Sequence, residues 1–134
     1  MSAYVTDTHA LLWHLSGDPL LSAPAADIFC QTDAGLAEIV IPSIVLVEVV
    51  YLCERQRVPD DRIERILALP DQPGSRYRVA PLDEAVVRAL RRIPRAHAPD
   101  MPDRIIGATA LCLGLPLITR DSKLIGSQLL TCVW

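Results

Sequence analysis

The alternation of short apolar runs with amphipathic segments is the feature that most constrains the fold of this chain of 134 residues. The run AYVT is strand-like, and the segment directly after it has helical spacing, with Leu11, Leu12 and Leu15 on one side. Strands are predicted at 3–6, 37–41, 77–80, 115–119 and 129–133, and helices at 8–15, 22–32, 43–55, 60–69, 83–92 and 102–113. Strands and helices in this order predict an α/β/α sandwich with a mainly parallel central sheet.

Punctuating residues set the expected ends of the helices. Ser22, Ser43 and Asp60 stand where N-caps are expected. Pro102 suits the first turn of a helix, and Gly114 suits the position just past its end.

Length and composition predict one soluble domain over residues 1–134. Hydrophobic residues make up 51% of the chain, which is too many for a disordered protein. The most apolar stretch, IVIPSIVLVEVVYLC, contains Pro42 and Glu48 and is shorter than a membrane span. The four cysteines are scattered without a CxxC pair, which disfavours zinc. Free thiols and the lack of a signal peptide predict a cytoplasmic location, without a membrane partner.

Four acids are predicted to lie at the carboxyl edge of the sheet, where α/β proteins bind ligands. Asp7 follows the first strand, and Asp121 follows the strand LPLIT. Asp103 lies in the first turn of the helix that leads down to that strand, so it returns to the same edge. Glu48 lies about five residues into a helix that starts after the second strand, ~7.5 Å along its axis.

Glu48 is the most informative of the four acids. Its neighbours in SIVLVEVVYL are apolar on every side, which predicts a buried helix. A buried carboxylate is costly unless it is paired or binds a cation, and no Lys or Arg lies within one turn of it.

Taken singly, the other three acids have ordinary structural explanations. Asp7 is typical of a helix cap, Asp103 suits the helix dipole, and Asp121 suits a turn. Taken together, four acids at one edge favour a metal site, because clustered carboxylates repel one another without a cation. Oxygen ligands select a hard ion, Mg²⁺ or Mn²⁺. Asp100 is close enough to join them, and the three histidines are interpreted as structural or surface residues.

The segments VTDTHALLW, SIVLVEVVYL, PDRIIGATALCLGLPLIT and TRDSKL resemble, in order, the motifs of PIN-domain proteins. They are most similar to the VapC-type toxins of type II toxin–antitoxin systems. By this resemblance, Asp7, Glu48, Asp103 and Asp121 match the family's catalytic, metal-binding acids. Thr119 matches a polar position beside the last acid, and Asp100 matches an auxiliary acid.

The resemblance implies a metal-dependent endoribonuclease in which carboxylates hold Mg²⁺ or Mn²⁺ to activate water. It also implies a homodimer that a small cognate antitoxin inhibits. We expect that antitoxin to insert an Arg among the acids and to lay an apolar segment near the early helices.

Two other functions remain open at this level. The first is a catalytically silent PIN-like module that binds a protein partner. The second, an aspartyl phosphotransfer domain, has weaker support, because His9 stands where a haloacid-dehalogenase pattern needs a second acid and Lys123 lies in a turn.

Overall fold

A computed structural model describes residues 1–134 and contains one five-stranded sheet. The strands are β1 (Ser2–Thr6), β2 (Ala37–Pro42), β3 (Tyr77–Ala80), β4 (Leu117–Ile118) and β5 (Cys132–Val133). The helices are α1 (Thr8–Ser16), α2 (Ala23–Asp33), α3 (Ser43–Glu54), α4 (Arg62–Ala68), α5 (Glu84–Leu90), α6 (Met101–Leu113) and α7 (Ser122–Ile125). Helices flank the sheet, so the predicted α/β/α fold is confirmed.

All five strands are parallel, in the order β3-β2-β1-β4-β5. Central β1 pairs Val5 with Val40 of β2 and Thr6 with Ile118 of β4. The chain builds the sheet outward from β1 on one side and then crosses to the other side. The order therefore reverses between β1 and β4, and such a switch point opens a crevice at the carboxyl ends of the strands.

The core is aliphatic and lies against the central strands. Its fully buried members include Val5, Leu11, Phe29, Ile39, Val40, Ile41, Ile106, Leu117 and Ile118. The strands read as near-continuous apolar runs because helices cover both faces of a parallel sheet.

Several expected boundaries are wrong. The last two strands are only two residues long, instead of the five predicted for each, and α7 was not predicted. Ser43 does not cap α3, because its hydroxyl accepts a hydrogen bond from the distant Leu82 N–H at 3.0 Å. Asp60 does not cap α4, which begins two residues later without a side-chain cap.

The expectation that α3 is buried on all sides is also wrong. Val47, Val50 and Tyr51 form an exposed apolar face, with Tyr51 56% exposed. No other element of this chain buries that face, since all three side chains remain exposed. Even so, none of the helices combines the length and apolar content that a membrane crossing requires.

Candidate functional site

Two of the predicted acids lie at the switch point. The Asp7 N–H donates to the Ile118 carbonyl at 3.1 Å, which ties the end of β1 to β4. The Asp7 carboxylate accepts the Ala10 N–H at 2.8 Å and caps α1. The Asp121 carboxylate accepts the Lys123 N–H at 2.9 Å and caps α7. Both acids are therefore helix caps as well as members of the site.

The third acid, Asp103, reaches the same place from the first turn of α6. Its N–H donates to the Asp100 carboxylate at 3.4 Å, so Asp100 caps this helix. Arg104 fixes the entry to α6, because its side chain donates to the Leu90 and Ile93 carbonyls at 3.2 and 3.1 Å.

Asp7, Asp103 and Asp121 line one cavity of about 190 Å³, together with His9, Trp13 and Arg120. The structure thus brings three of the four predicted acids to one cavity at the switch point.

The fourth acid, Glu48, does not line this cavity. The Thr8 hydroxyl donates a hydrogen bond to Glu48 Oε1, and Thr8 is only 2% exposed. Glu48 and Asp100 line a separate groove of about 380 Å³ between α3 and the start of α6, with Ile44, Val47, Tyr51, Leu52, Arg55, Met101 and Pro102. Thr8 was not among the predicted site residues, and its only signal in the sequence is its place beside Asp7.

Burial and repulsion by neighbouring charges raise the pKa of three acids, Asp7, Glu48 and Asp103. Burial, then the charges of Asp100, Glu48, Asp121 and Asp7, raise the pKa of Asp103 to about 7. Burial also raises the pKa of Asp7 and of Glu48, against the hydrogen bonds that each accepts. No Lys or Arg pairs with any of the predicted acids, because the ion pairs lie elsewhere in the fold.

Thr119 connects the two caps at the switch point. It is buried, and its hydroxyl accepts the Asp121 N–H at 3.1 Å. The same hydroxyl lies beside Asp7 and lowers the pKa of that carboxyl. Thr119 therefore holds Asp7 and Asp121 in a fixed relation.

The donor chemistry of this site fits a hard divalent ion, since carboxylate oxygens line the crevice and none of them forms an ion pair with a Lys or Arg. The side chains are nevertheless spread, and no three His, Cys, Asp or Glu residues converge closely enough to coordinate one ion. The acids therefore line an acidic crevice without being drawn together as a coordination shell.

The wall of the acidic cavity carries residues that the sequence analysis did not assign to the site. The Arg120 guanidinium lies over the Trp13 ring, 4.7 Å from its centroid. His9 and Trp134 contact the same ring, with centroids 5.6 and 5.9 Å away. The only advance signals were the one-turn spacing of His9 and Trp13 and the position of Arg120 next to Asp121.

A second groove borders the same wall. It measures about 360 Å³ and lies between α1 and the segment that joins α3 to α4. Its lining combines His9, Leu12, Trp13, Ser16, Asp18, Leu52, Arg57, Val58, Pro59 and Arg62.

The parallel sheet and the carboxylates at its switch point define an α/β/α protein with an acidic crevice. The chain belongs to the PIN domain family, whose profile matches residues 4–126. It is similar to Ribonuclease VapC22 of Mycobacterium tuberculosis, with 26% identity over 129 residues, 92% of this chain and 91% of that protein.

Two solved structures of toxin–antitoxin proteins share the fold. VapBC2 from Rickettsia felis, bound to a promoter DNA fragment, matches with a TM-score of 0.70 and 17% identity over 98% of this chain and 97% of that one. VapBC-1 from nontypeable Haemophilus influenzae matches with a TM-score of 0.70 and 18% identity, over 98% and 96% of the two chains.

Proposed function

We propose that residues 1–134 form a single PIN domain that acts as a metal-dependent endoribonuclease, the VapC-type toxin of a toxin–antitoxin pair. The observation that carries this proposal is the meeting of Asp7, Asp103 and Asp121 in one cavity at the switch point. The similarity to Ribonuclease VapC22 supports RNA as the substrate. We place the activity in the cytoplasm, because all four cysteines are free thiols, as is typical of a reducing compartment.

Asp7, Asp103 and Asp121 are the proposed ligands for Mg²⁺ or Mn²⁺, with Glu48 beside them through Thr8. A bound ion supplies Lewis-acid activation of water and of the scissile phosphate. The backbone of α1 and the hydroxyl of Thr119 hold the Asp7 carboxylate in place. Asp103 has to lose its proton before it binds a cation, because its pKa is raised to about 7.

The direct test is cleavage of an RNA panel by purified protein, with Mg²⁺ and with EDTA. We expect cleavage that EDTA stops and that Asp7→Asn abolishes. Cleavage that survives EDTA would contradict the metal mechanism, and cleavage retained by Asp7→Asn would indicate a contaminating nuclease.

A silent protein-binding module is the second candidate, favoured by the spread of the acids. It predicts partner binding without hydrolysis of any RNA and without Mg²⁺ or Mn²⁺ binding at millimolar concentration. Isothermal titration of Mn²⁺ into the purified protein separates the two functions.

We propose a homodimer that uses the exposed face of α3 and the neighbouring Met101, which is 65% exposed. Apolar groups that lie together at a surface are typical of interfaces. Light scattering at tens of micromolar tests this, with Tyr51→Glu expected to give monomers. Leu36→Glu is the matched control, because Leu36 is 68% exposed on another part of the surface. A wild-type monomer at that concentration would contradict the proposal.

We propose that a small antitoxin inhibits the protein by placing an Arg among the acids in competition with the metal. The groove beside α1 suits the rest of that contact, since Leu12, Leu52 and Val58 line it with Arg57 and Arg62. Antitoxin affinity is expected to fall as Mg²⁺ rises at fixed ionic strength, and to fall with Asp103→Asn. Indifference to both would mean that the antitoxin blocks RNA access from outside the cavity.

A further inference from the structure

Binding of RNA at the acidic cavity requires a cationic side chain as well as a metal ion. Acidic groups repel the phosphates of RNA, and one metal ion offsets that repulsion at one phosphate only. The nucleotide next to the cleaved bond needs a separate cationic contact. Among the residues that line the acidic cavity, Arg120 is the sole Arg or Lys.

Arg120 is close to carboxylates yet unpaired. It stands next to Asp121 in sequence and shares the cavity with Asp7 and Asp103. None of the ion pairs in the structure involves Arg120. Its guanidinium therefore makes no direct ion pair with the acids, and its N–H donors are free for a ligand.

Trp13 fixes the direction of that guanidinium. An arginine over an aromatic face is stabilised by the ring quadrupole while its N–H groups point outward in the guanidinium plane. Trp13 is itself held by contacts with His9 and Trp134, so the platform below Arg120 is packed on several sides. A planar fork held in this way suits the two oxygens of a phosphate.

Resting on the proposed ribonuclease function, we propose that Arg120 binds a backbone phosphate of the RNA beside the bond that is cleaved. Trp13 is the positioning residue that orients Arg120 for this contact. In this proposal the carboxylates attract the metal, and the oriented Arg120 binds the substrate.

The test is binding of a fluorescent 2′-O-methyl RNA oligonucleotide, which cannot be cleaved, in EDTA. Fluorescence anisotropy over a salt series measures both the affinity and its salt dependence. Arg120→Gln is expected to weaken binding about tenfold, as for loss of a charge-assisted hydrogen bond. It is also expected to reduce the slope of log K against log salt by about 0.7, the value for one phosphate contact on a single strand.

Arg76→Gln is the matched control. Arg76 is exposed and immediately precedes β3, so it lies at the amino edge of the sheet, away from the cavity. Arg76→Gln removes the same charge as Arg120→Gln. Because Arg76 lies away from the cavity, its substitution is expected to change the slope by much less.

Two Trp13 variants separate positioning from general packing. Trp13→Phe keeps an aromatic face and is expected to keep most of the affinity. Trp13→Leu is expected to raise KM for RNA cleavage severalfold with a smaller change in kcat. Arg120→Gln is a surface change, so its result stands even if a Trp13 variant folds poorly.

The outcomes separate this inference from the proposed function. If wild-type protein cleaves RNA but Arg120→Gln matches Arg76→Gln in affinity and slope, the role of Arg120 is wrong and the ribonuclease proposal stands. If wild-type protein neither binds nor cleaves any RNA of the panel, both proposals are overturned.

Discussion

Two kinds of carboxylate differ in what they contribute to the fold. One kind lies at the two strand–helix junctions, and the other kind lies within helices α3 and α6. Asp7 and Asp121 accept backbone N–H groups at the starts of α1 and α7. Glu48 and Asp103 lie within helices, and neither accepts a backbone N–H group. The junction acids thus cap helices, which offsets the cost of burying Asp7, whereas Glu48 and Asp103 are desolvated and repelled without accepting any backbone N–H group. The second pair lacks the capping role that gives Asp7 and Asp121 a structural explanation.

This difference predicts that substitutions of the two kinds of acid differ in their effects on RNA cleavage and on stability. The largest expected effect is that of Asp103→Asn on RNA cleavage, a loss of more than ~100-fold, since even outer-shell partners of metals are worth 10–100-fold. The metal-free melting temperature is expected to stay the same or rise, because a repelled carboxylate is removed. Cleavage kinetics and thermal melts in EDTA measure the two effects. A marked loss of metal-free stability would mean that Asp103 has a structural role.

Substitution of a junction acid is expected to lower the stability of the protein, in contrast to Asp103→Asn. Asp7→Ala removes the cap of α1 and is expected to cost about 1 kcal/mol of unfolding free energy. Asp7→Asn keeps a capping oxygen and is expected to cost much less, although both variants lose cleavage. Urea unfolding curves measure the difference, and equal stabilities of the two variants would show that the cap contributes nothing.

The raised pKa of Asp103 gives a smaller, pH-dependent effect. Burial and neighbouring acids raise that pKa from 3.8 to about 7 in the folded protein. The folded state then holds a proton that the unfolded state releases, so this contribution is full below pH ~4 and is lost as pH rises through ~7. In EDTA, the melting temperature is expected to fall between pH 5 and 8 more steeply for wild type than for Asp103→Asn. Parallel pH profiles would contradict the raised pKa.

Asp100 is expected to give the smallest effect. It caps α6 and also repels Asp103, so it belongs partly to each kind of acid. Asp100→Asn keeps a capping oxygen and removes the repulsion, which is expected to change cleavage by less than ~10-fold. A loss as large as that of Asp103→Asn would place Asp100 among the principal ligands.

The sequence predicted the parts of the fold that local patterns encode. The order of strands and helices followed from periodicity. The start of α2 followed from Ser22, and the end of α6 followed from Gly114. Gly114 has φ 65°, the left-handed conformation that ends a helix readily only at glycine. The position of Asp7 and Asp121 at one edge followed from the direction of parallel strands.

Features that depend on contacts between residues distant in sequence could not be predicted from local patterns. Ser43 bonds to Leu82 instead of capping its own helix, and Thr8 holds Glu48 across 40 residues of sequence. The stacking of Arg120 on Trp13 joins segments at opposite ends of the chain. Periodicity describes which face of an element is apolar, but the direction of a single side chain depends on which elements pack beside it.

Isothermal titration of Mn²⁺ into the purified protein tests most directly whether the acids at the switch point hold a metal. Wild type, Asp103→Asn and Asp71→Asn form the set, because Asp71 is an exposed acid in the 3₁₀ turn that precedes β3. The expected result is a binding event in wild type and in Asp71→Asn that disappears in Asp103→Asn. No binding to wild type at millimolar Mn²⁺, or equal binding to all three proteins, would contradict a metal site at this edge of the sheet.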